Sequence, residues 1–162
     1  MKKLFFSALM LLSMSLAVNA QKISFDGTDA LEFQFKRCFV KGSTCTVDFI
    51  VTNVGNQELT STMFWFPDGC DGIKVFDDEG NVYDHTSISG NFGGTNFGPS
   101  IGNAYNVQIP GDVTLKIRCQ IIDFDEYAAL IRQLKISFRI RSTYSSLGCA
   151  CLQVKDIPVT RE

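Results

Sequence analysis

Apolar and polar residues alternate along most of the chain beyond residue 30. In each alternating segment nearly every second residue is Val, Ile, Leu, Phe or Cys, and polar or charged residues lie between them; the segments are 31–36, 46–52, 113–121 and 135–141. A period of two places one face of an extended strand in an apolar interior and the other in water. The apolar residues are mostly β-branched or aromatic, which favours strands. The pattern therefore predicts antiparallel sheets with one buried face each.

Short turn sequences separate the predicted strands, at 41–43, 54–57, 77–81 and 110–112. The 77–81 segment, Asp-Asp-Glu-Gly-Asn, lies between two apolar runs and predicts a hairpin. One short helix is expected at about 124–131, because Asp123 and Glu126 form a capping-box pattern in front of it. Short strands, frequent turns and little helix predict a β-sandwich, in which this helix crosses from one sheet to the other.

The order of these signatures resembles that of small secreted bacterial proteins of uncharacterised function with an immunoglobulin-like fold. Turn and strand motifs carry the resemblance: Val51-Thr52-Asn53 before a turn, the 75–83 hairpin, Ile109-Pro110-Gly111-Asp112-Val113 and Lys155-Asp156-Ile157-Pro158-Val159. The resemblance covers most of the chain after residue 20. It implies an all-β, immunoglobulin-like antiparallel sandwich of about seven to eight strands, and it carries no catalytic residues.

The first part of the chain has the pattern of a signal peptide. Two lysines precede a mostly apolar run at 4–16, and a Val-Asn-Ala cleavage site ends at residue 20. We therefore predict that 1–20 is removed and that 21–162 forms a single exported domain, either periplasmic or secreted. Residue 21 is Gln rather than Cys, so no lipid anchor is expected. No later apolar run is long enough to span a membrane.

The charge balance is mildly acidic. The chain has 15 Lys and Arg residues against 17 Asp and Glu residues, for a net charge of −2. Loss of the two lysines near the start makes the predicted product more acidic still. The basic residues are scattered along the sequence and form no dense run, so nucleic acid is not expected as a partner.

All six cysteines lie after residue 20: Cys38, Cys45, Cys70, Cys119, Cys149 and Cys151. An even number of cysteines in an exported chain predicts disulfides. A two-residue turn at 41–42 would set Cys38 opposite Cys45. The alternation, however, places these two residues on different faces, and only a β-bulge would bring them onto one face.

Cys45 and Cys119 fit a bridge better. In an immunoglobulin-like sandwich the two strands that hold them are antiparallel neighbours, and both residues share the inward face. We therefore predict a Cys45–Cys119 disulfide, with two buried free thiols as the alternative. Further bridges are open among Cys38, Cys70, Cys149 and Cys151, because connectivity also depends on geometry.

Other chemistry has little support. Cys149 and Cys151 with Cys70 and His85 could hold zinc or copper, but the usual C-x₂₋₄-C spacing is absent, and neither a metal nor a cofactor is expected. His85 is the only histidine, and no nucleophile motif accompanies it. Acids recur between 68 and 84, where turns favour them; calcium binding and carboxylate catalysis are the alternatives.

The 86–104 segment is rich in glycine and predicts a long, flexible loop. Within it, Phe92 and Phe97 with Asn91 and Asn96 are candidate binding residues, because aromatic rings beside amides can stack on sugars or grip a peptide. The alternative is that both rings fold back as a lid over the core.

The run Met63-Phe64-Trp65-Phe66 holds the only tryptophan of the chain. Trp65 is predicted to pack in the core. Phe64 and Phe66 would then face outward and need a loop or a partner to cover them.

Together these inferences predict an exported, non-catalytic binding module. Its partner would be a protein or a glycan, at the cell surface or in the periplasm, that is met through the 86–104 loop and the acidic turns. A protease inhibitor of similar fold is the first alternative. A hydrolase built on carboxylates is the second and less favoured one.

Overall fold

The computed structural model describes residues 21–142 and 146–162, and these residues form strands and turns. The predicted signal segment, 1–20, lies outside the described residues. The strands are β1 Lys22–Phe25, β2 Leu31–Lys41, β3 Thr44–Asn53, β4 Leu59–Phe64, β5 Ile73–Asp77, β6 Val82–Tyr83, β7 Ile88–Phe92, β8 Thr95–Phe97, β9 Ala104–Ile109, β10 Thr114–Ile121, β11 Leu130–Arg141, β12 Ser146–Pro158 and β13 Thr160–Arg161. Within these two ranges there is no helix that could cross a membrane.

The strands form two sheets. The first has seven strands in the order β1-β12-β11-β4-β9, and β5 and β6 complete it because β5 also pairs with β11. The second has six strands in the order β13-β2-β3-β10-β7-β8. Their ladders are antiparallel except for the short parallel pairing of β13 with β2. The predicted all-β, two-sheet architecture is confirmed, with more strands in the described residues than the seven to eight expected.

The predicted alternation is what builds the core. In β3 and β10 of one sheet and β11 of the other, every second residue is buried; these residues are Cys45, Val47, Phe49, Val51, Ile117, Cys119, Ile121, Leu134, Ile136, Phe138 and Ile140. All of them belong to one hydrophobic cluster. Full burial of a large apolar side chain contributes about 1.5–3 kcal/mol relative to exposure. The two sheets are therefore held together mainly by their facing apolar sides.

The predicted helix at 124–131 is absent, and turns connect β10 to β11 instead. Asp123 has a left-handed φ of 53°, whereas a helix N-cap residue needs an extended backbone. The segment is fixed by long-range hydrogen bonds: Phe124 N donates to Ser43 O at 2.9 Å, and Arg161 Nη2 donates to Ala128 O at 2.7 Å. Tertiary contacts thus override the local capping signal.

The 86–104 segment is not a long flexible loop. Residues 88–97 form a hairpin of β7 and β8 whose turn is Gly93-Gly94, with φ values of 55° and 93°. Positive φ at both turn positions suits a tight hairpin and favours glycine. β7 approaches β10 closely at Gly90. A Cβ at this position would collide with the carbonyl oxygen of Arg118. Two of the glycines are thus needed for the turn and one for close strand packing.

Strand β2 contains a β-bulge between Phe35 and Arg37. The extra residue, Lys36, reverses the alternation, so Lys36 and Arg37 both face solvent and Cys38 turns into the core. The sequence pattern predicts Cys38 on the polar face. That prediction is wrong because the inserted residue is invisible to a strict period of two.

Candidate functional site

The outward face of the six-stranded sheet carries a row of polar side chains. The strand register aligns Arg37 of β2, Asp48 of β3, Arg118 of β10, Asn91 of β7 and Asn96 of β8. Adjacent strands lie about 4.8 Å apart, so this row extends over roughly 20 Å. We call these five residues the polar row.

Asp48 lies between the two arginines of the polar row. Arg118 donates from Nε to Oδ1 at 2.7 Å and from Nη2 to Oδ2 at 2.9 Å, and Arg37 donates from Nε to Oδ2 at 2.8 Å. The bonds from Arg118, assisted by Arg37, hold the pKa of Asp48 below its usual range, and Asp48 in turn raises the pKa of Arg118. The carboxylate is 14% exposed while Arg37 and Arg118 are 57% and 48% exposed. Asp48 therefore orients two guanidinium groups that remain open to solvent.

A groove of about 480 Å³ lies over the polar row. Four cationic side chains line it, those of Lys36, Arg37, Lys116 and Arg118, and Asp48 is the carboxylate among its lining residues. Ligand sites commonly have volumes of about 300–1,000 Å³. The groove is thus large enough for a small ligand, and it is positive in a chain whose overall charge is negative.

Asn91 and Asn96 face each other across the β7–β8 hairpin. Asn91 Nδ2 donates to Asn96 Oδ1 at 2.8 Å, and Asn91 Oδ1 accepts the Gly94 N–H at 2.9 Å. Asn91 also lines the groove. Phe92 and Phe97, by contrast, are each 1% exposed and belong to the core cluster. Of the four predicted binding residues, the structure places the two amides at the surface and the two rings in the interior.

Among the described residues one disulfide is formed, Cys70–Cys149, with 5.6 Å between the Cα atoms. It is one of the bridges that the sequence left open. The predicted Cys45–Cys119 bridge is not formed, and both residues are buried free thiols. They are offset by two positions in the β3–β10 register, which makes them diagonal rather than direct neighbours. Burial raises the pKa of Cys119 to about 12.

The apolar run around Trp65 packs partly as predicted. Trp65 is 8% exposed, and its Nε1 donates to the carbonyl of Ile88. Phe64 is covered rather than exposed, because the Arg139 guanidinium lies 5.1 Å from its ring centroid. Phe66 does face outward, with 48% exposure.

His85 packs as an aromatic ring. It lies edge-on to both Trp65 and Phe66, with 5.3 Å between ring centroids in each case. Its Nδ1 is 4.0 Å from Oδ1 of Asp84, beyond hydrogen-bond distance. This geometry assigns the histidine to packing.

The acids of the 77–81 turn bind nearby backbone. Asp77 Oδ1 accepts the N–H groups of Glu79 at 3.1 Å and Asn81 at 2.8 Å, and Asp77 Oδ2 accepts the Tyr83 hydroxyl at 2.9 Å. Asp78 Oδ1 accepts the N–H groups of Ala129, just before β11, and Leu130, its first residue, at 3.1 Å each. These carboxylates shape turns. Across residues 21–142 and 146–162, no three His, Cys, Asp or Glu side chains are grouped so as to hold a metal.

The groove cannot be recognised in the sequence because its cations come from two distant parts of the chain. Lys36 and Arg37 lie on β2, and Lys116 and Arg118 lie on β10, with β3 between these strands. The signal in the sequence was the pair of lysine and arginine at alternate positions of the 113–121 run. The matching cations on β2, Lys36 and Arg37, can be recognised only when the β-bulge and the strand order are known.

No protein-family model matches the chain, and no curated protein sequence matches it. Similar solved structures include the X-ray structure of a structural-genomics target, SoR45, at 9% identity and a TM-score of 0.43, covering 86% of this chain and 87% of that one. A family 123 glycoside hydrolase from Clostridium perfringens that acts on glycolipid glycans matches at 8% identity and a TM-score of 0.39 over 85% of this chain, which spans only 27% of that enzyme. AvmM, which catalyses a macrocyclization in alchivemycin A biosynthesis, matches at 12% identity and a TM-score of 0.30. The match covers 89% of this chain and 90% of AvmM. Similarity this low carries no functional argument.

Proposed function

We propose that this chain is an exported, non-catalytic binding module with an immunoglobulin-like sandwich fold, and that it binds an acidic glycan in the groove over the polar row. The observation that carries the proposal is the pair of guanidinium groups held by Asp48, with two lysines beside them. The leader pattern at 1–20 supports export. The Cys70–Cys149 bridge supports it too, because structural disulfides persist mainly in oxidising compartments.

The groove favours an anionic ligand. Arg118 uses two of its five N–H donors on Asp48 and Arg37 uses one, so both keep donors for a ligand. Guanidinium groups match carboxylate and sulfate groups in a bidentate manner. Because Asp48 already fixes the orientation of both side chains, binding costs less conformational entropy than it would with free arginines.

A glycan fits this surface better than an extended peptide does. A peptide that joins a sheet needs unpaired backbone groups at an edge strand. The groove lies in the middle of the sheet, where β3 and β10 are each paired on both sides. The face therefore offers side chains alone: cations for acidic groups and the amide of Asn91 for hydroxyl groups.

The non-catalytic interpretation rests on how the reactive side chains are used. His85 packs edge-on against two aromatic rings, and Asp77 and Asp78 accept hydrogen bonds from turns and strand ends. These are structural roles. None of these groups lines the groove.

The test is calorimetric titration with three probes of equal length: a sulfated oligosaccharide, a uronic acid oligosaccharide and a neutral one. The proposal predicts binding of one or both acidic probes and not of the neutral probe. Affinity should fall as the salt concentration rises from about 50 mM to about 500 mM, because salt screens exposed charges. The double variant K36Q/K116Q, which keeps the Asp48 ion pairs, should bind about tenfold more weakly, since each exposed charge contributes up to roughly 1 kcal/mol.

The matched control is K22Q/K155Q, which removes two exposed lysines that pair in register on the other sheet. Its affinity should equal that of the original protein. An equal loss in this control would show non-specific charge attraction and overturn the assignment to the groove. Binding of a poly-glutamate peptide without binding of either acidic oligosaccharide would instead identify a protein partner and contradict the glycan.

A further inference from the structure

Cys38 and Cys45 meet on the inner face of the β2–β3 hairpin. Their sulfur atoms are 3.5 Å apart, and the residues are 4% and 0% exposed. The bulge in β2 brings Cys38 to this face. The turn at 42–43 then pairs Val40 with Cys45, so Cys38 is the diagonal neighbour of Cys45.

We propose that Cys38 and Cys45 form a second, cross-strand disulfide in the exported protein. Sulfur atoms at 3.5 Å are in non-bonded contact, and a disulfide needs about 2.05 Å. The two sulfur atoms must therefore approach each other by about 1.5 Å for the bond to form. The two cysteines are seven positions apart, so formation of the β2–β3 hairpin is enough to bring the thiols together. The other strands need not have folded.

The reaction is a two-step thiol–disulfide exchange. One cysteine, as its thiolate, attacks a sulfur of a carrier disulfide and forms a mixed disulfide while the carrier releases one thiolate. The second cysteine, also deprotonated, attacks the mixed disulfide, forms the Cys38–Cys45 bond and releases the second carrier thiolate. Two protons leave the protein, and the carrier is reduced by two electrons.

Burial determines when this exchange takes place. The hydrogen bond to Cys45 and burial both raise the pKa of Cys38 far above its usual value. In the closed sandwich the thiolate is therefore suppressed and shielded from a carrier. Exchange proceeds while the hairpin exists and the second sheet does not yet cover it, which is the situation during folding after export.

Cys119 is the competing partner. It lies on β10, diagonal to Cys45 on the other side of β3. In the structure the sulfur atom of Cys45 is in contact with that of Cys38. Cys119 also comes from a strand far along the chain, which must dock before it can compete. The inferred product therefore retains Cys119 as a thiol.

The bridge would lie beneath the polar row. Cys38 directly follows Arg37 in β2, and the Arg37–Asp48 ion pair lies on the opposite face of the same two strands. A covalent link there holds β2 and β3 in register below the groove. This consequence rests on the proposed function, whereas the bridge itself does not.

Peptide mapping tests the bridge directly. The purified protein is refolded in the presence of glutathione disulfide until the Cys70–Cys149 bridge is complete. Free thiols are then alkylated in denaturant, and the chain is digested with trypsin. Cleavage after Lys41 separates Cys38, in peptide 38–41, from Cys45, in peptide 42–74. The expected product is one cross-linked complex of peptides 38–41, 42–74 and 142–155 that carries its alkyl group on Cys151 and none on Cys45, with alkylated Cys119 in peptide 119–132.

Every other pattern overturns the inference. Alkylated 38–41 together with a 42–74 to 142–155 cross-link would show that Cys38 and Cys45 stay reduced. A cross-link from 42–74 to 119–132 would show that Cys45 prefers Cys119. As a second measurement, hydrogen exchange of the β2–β3 amides should be faster in C38S than in the oxidised protein and unchanged in C119S. Equal exchange in C38S and the oxidised protein would contradict a bond between the strands.

Discussion

Arg118 and Asp48 are joined by two parallel hydrogen bonds across neighbouring strands, at 2.7 and 2.9 Å. Planar pairing of this kind fixes the guanidinium as well as the carboxylate. Asp48 also accepts a bond from Arg37, so one carboxylate holds two cations at the surface of the sheet. The same contact that links the strands thus holds two guanidinium groups in fixed orientations beside the groove.

The first prediction concerns the pH dependence of stability. The pKa of Asp48 is lowered in the folded protein, chiefly by its bonds to Arg118, from an unfolded value of about 3.9. The unfolded chain therefore binds this proton more readily. The stabilisation is fully present above about pH 4 and is lost as pH falls through the folded pKa. D48N should have a lower melting temperature than the original protein at pH 7, and this difference should narrow as pH falls below about 4.

Thermal melts followed by circular dichroism measure this gap. D112N removes one negative charge from an exposed turn and corrects for the change in net charge. A D48N difference that stays constant over the same pH range would contradict the role of the ion pairs.

The second prediction separates the rings of the β7–β8 hairpin from its amides. Phe92 packs against Phe138 with 5.9 Å between ring centroids, and Phe97 is equally buried. Replacing either ring by Ala should lower the free energy of unfolding by about 3–5 kcal/mol. N96A, which removes one exposed hydrogen bond between two amides, should cost about 1 kcal/mol or less, and N91A, which also removes the exposed bond from Gly94 N–H, about 1–2 kcal/mol. Urea titration measures all four values, and rings that cost no more than the amides would refute the core assignment.

The third prediction concerns the Cys70–Cys149 bridge, which joins residues 79 positions apart. Removing a disulfide that closes a loop of this length should lower the free energy of unfolding by about 4 kcal/mol in the chain-entropy description. The double variant C70S/C149S should show this loss in urea titration without reductant. C151S, which leaves the bridge intact, is the control and should unfold near the original midpoint. If the double variant and the control unfold together, the bridge does not constrain the chain.

The fourth prediction tests the close approach of β7 to β10. Gly90 has no room for a Cβ because the Arg118 carbonyl oxygen occupies that position. G90A should therefore lower stability by about 2 kcal/mol or more, since the two strands must separate. At Gly148 a Cβ would meet no other atom within 4 Å, so G148A should be nearly neutral. Similar melting temperatures for the two variants would show that β7 is not held in this register.

The alternation of the sequence predicts the sheets and most of the core, because burial of one strand face leaves a direct trace in residue order. It fails where a tertiary contact or an inserted residue changes the local rule. Lys36 shifts the parity of β2, and Asp123 adopts a left-handed backbone that its capping pattern does not reveal. Phe92 and Phe97 are buried in the core, and their glycine-rich surroundings hide two short strands from a sequence-based prediction.

The site is less predictable than the fold. The sequence alone names Asn91 and Asn96 as candidate binding residues, but the cations beside them look scattered along the chain. Lys36 and Lys116 are far apart in the chain and come together only through the strand order β2-β3-β10. Such a cluster depends on register, and register is set by the whole sheet rather than by local sequence.

Mapping of backbone amide chemical shifts during titration with an acidic oligosaccharide tests the central claim most directly. We predict saturable shifts concentrated at Arg37, Asp48, Asn91 and Arg118, on the outward face of the six-stranded sheet. Shifts confined to the other sheet, or none up to the solubility limit of the oligosaccharide, would contradict the proposed site.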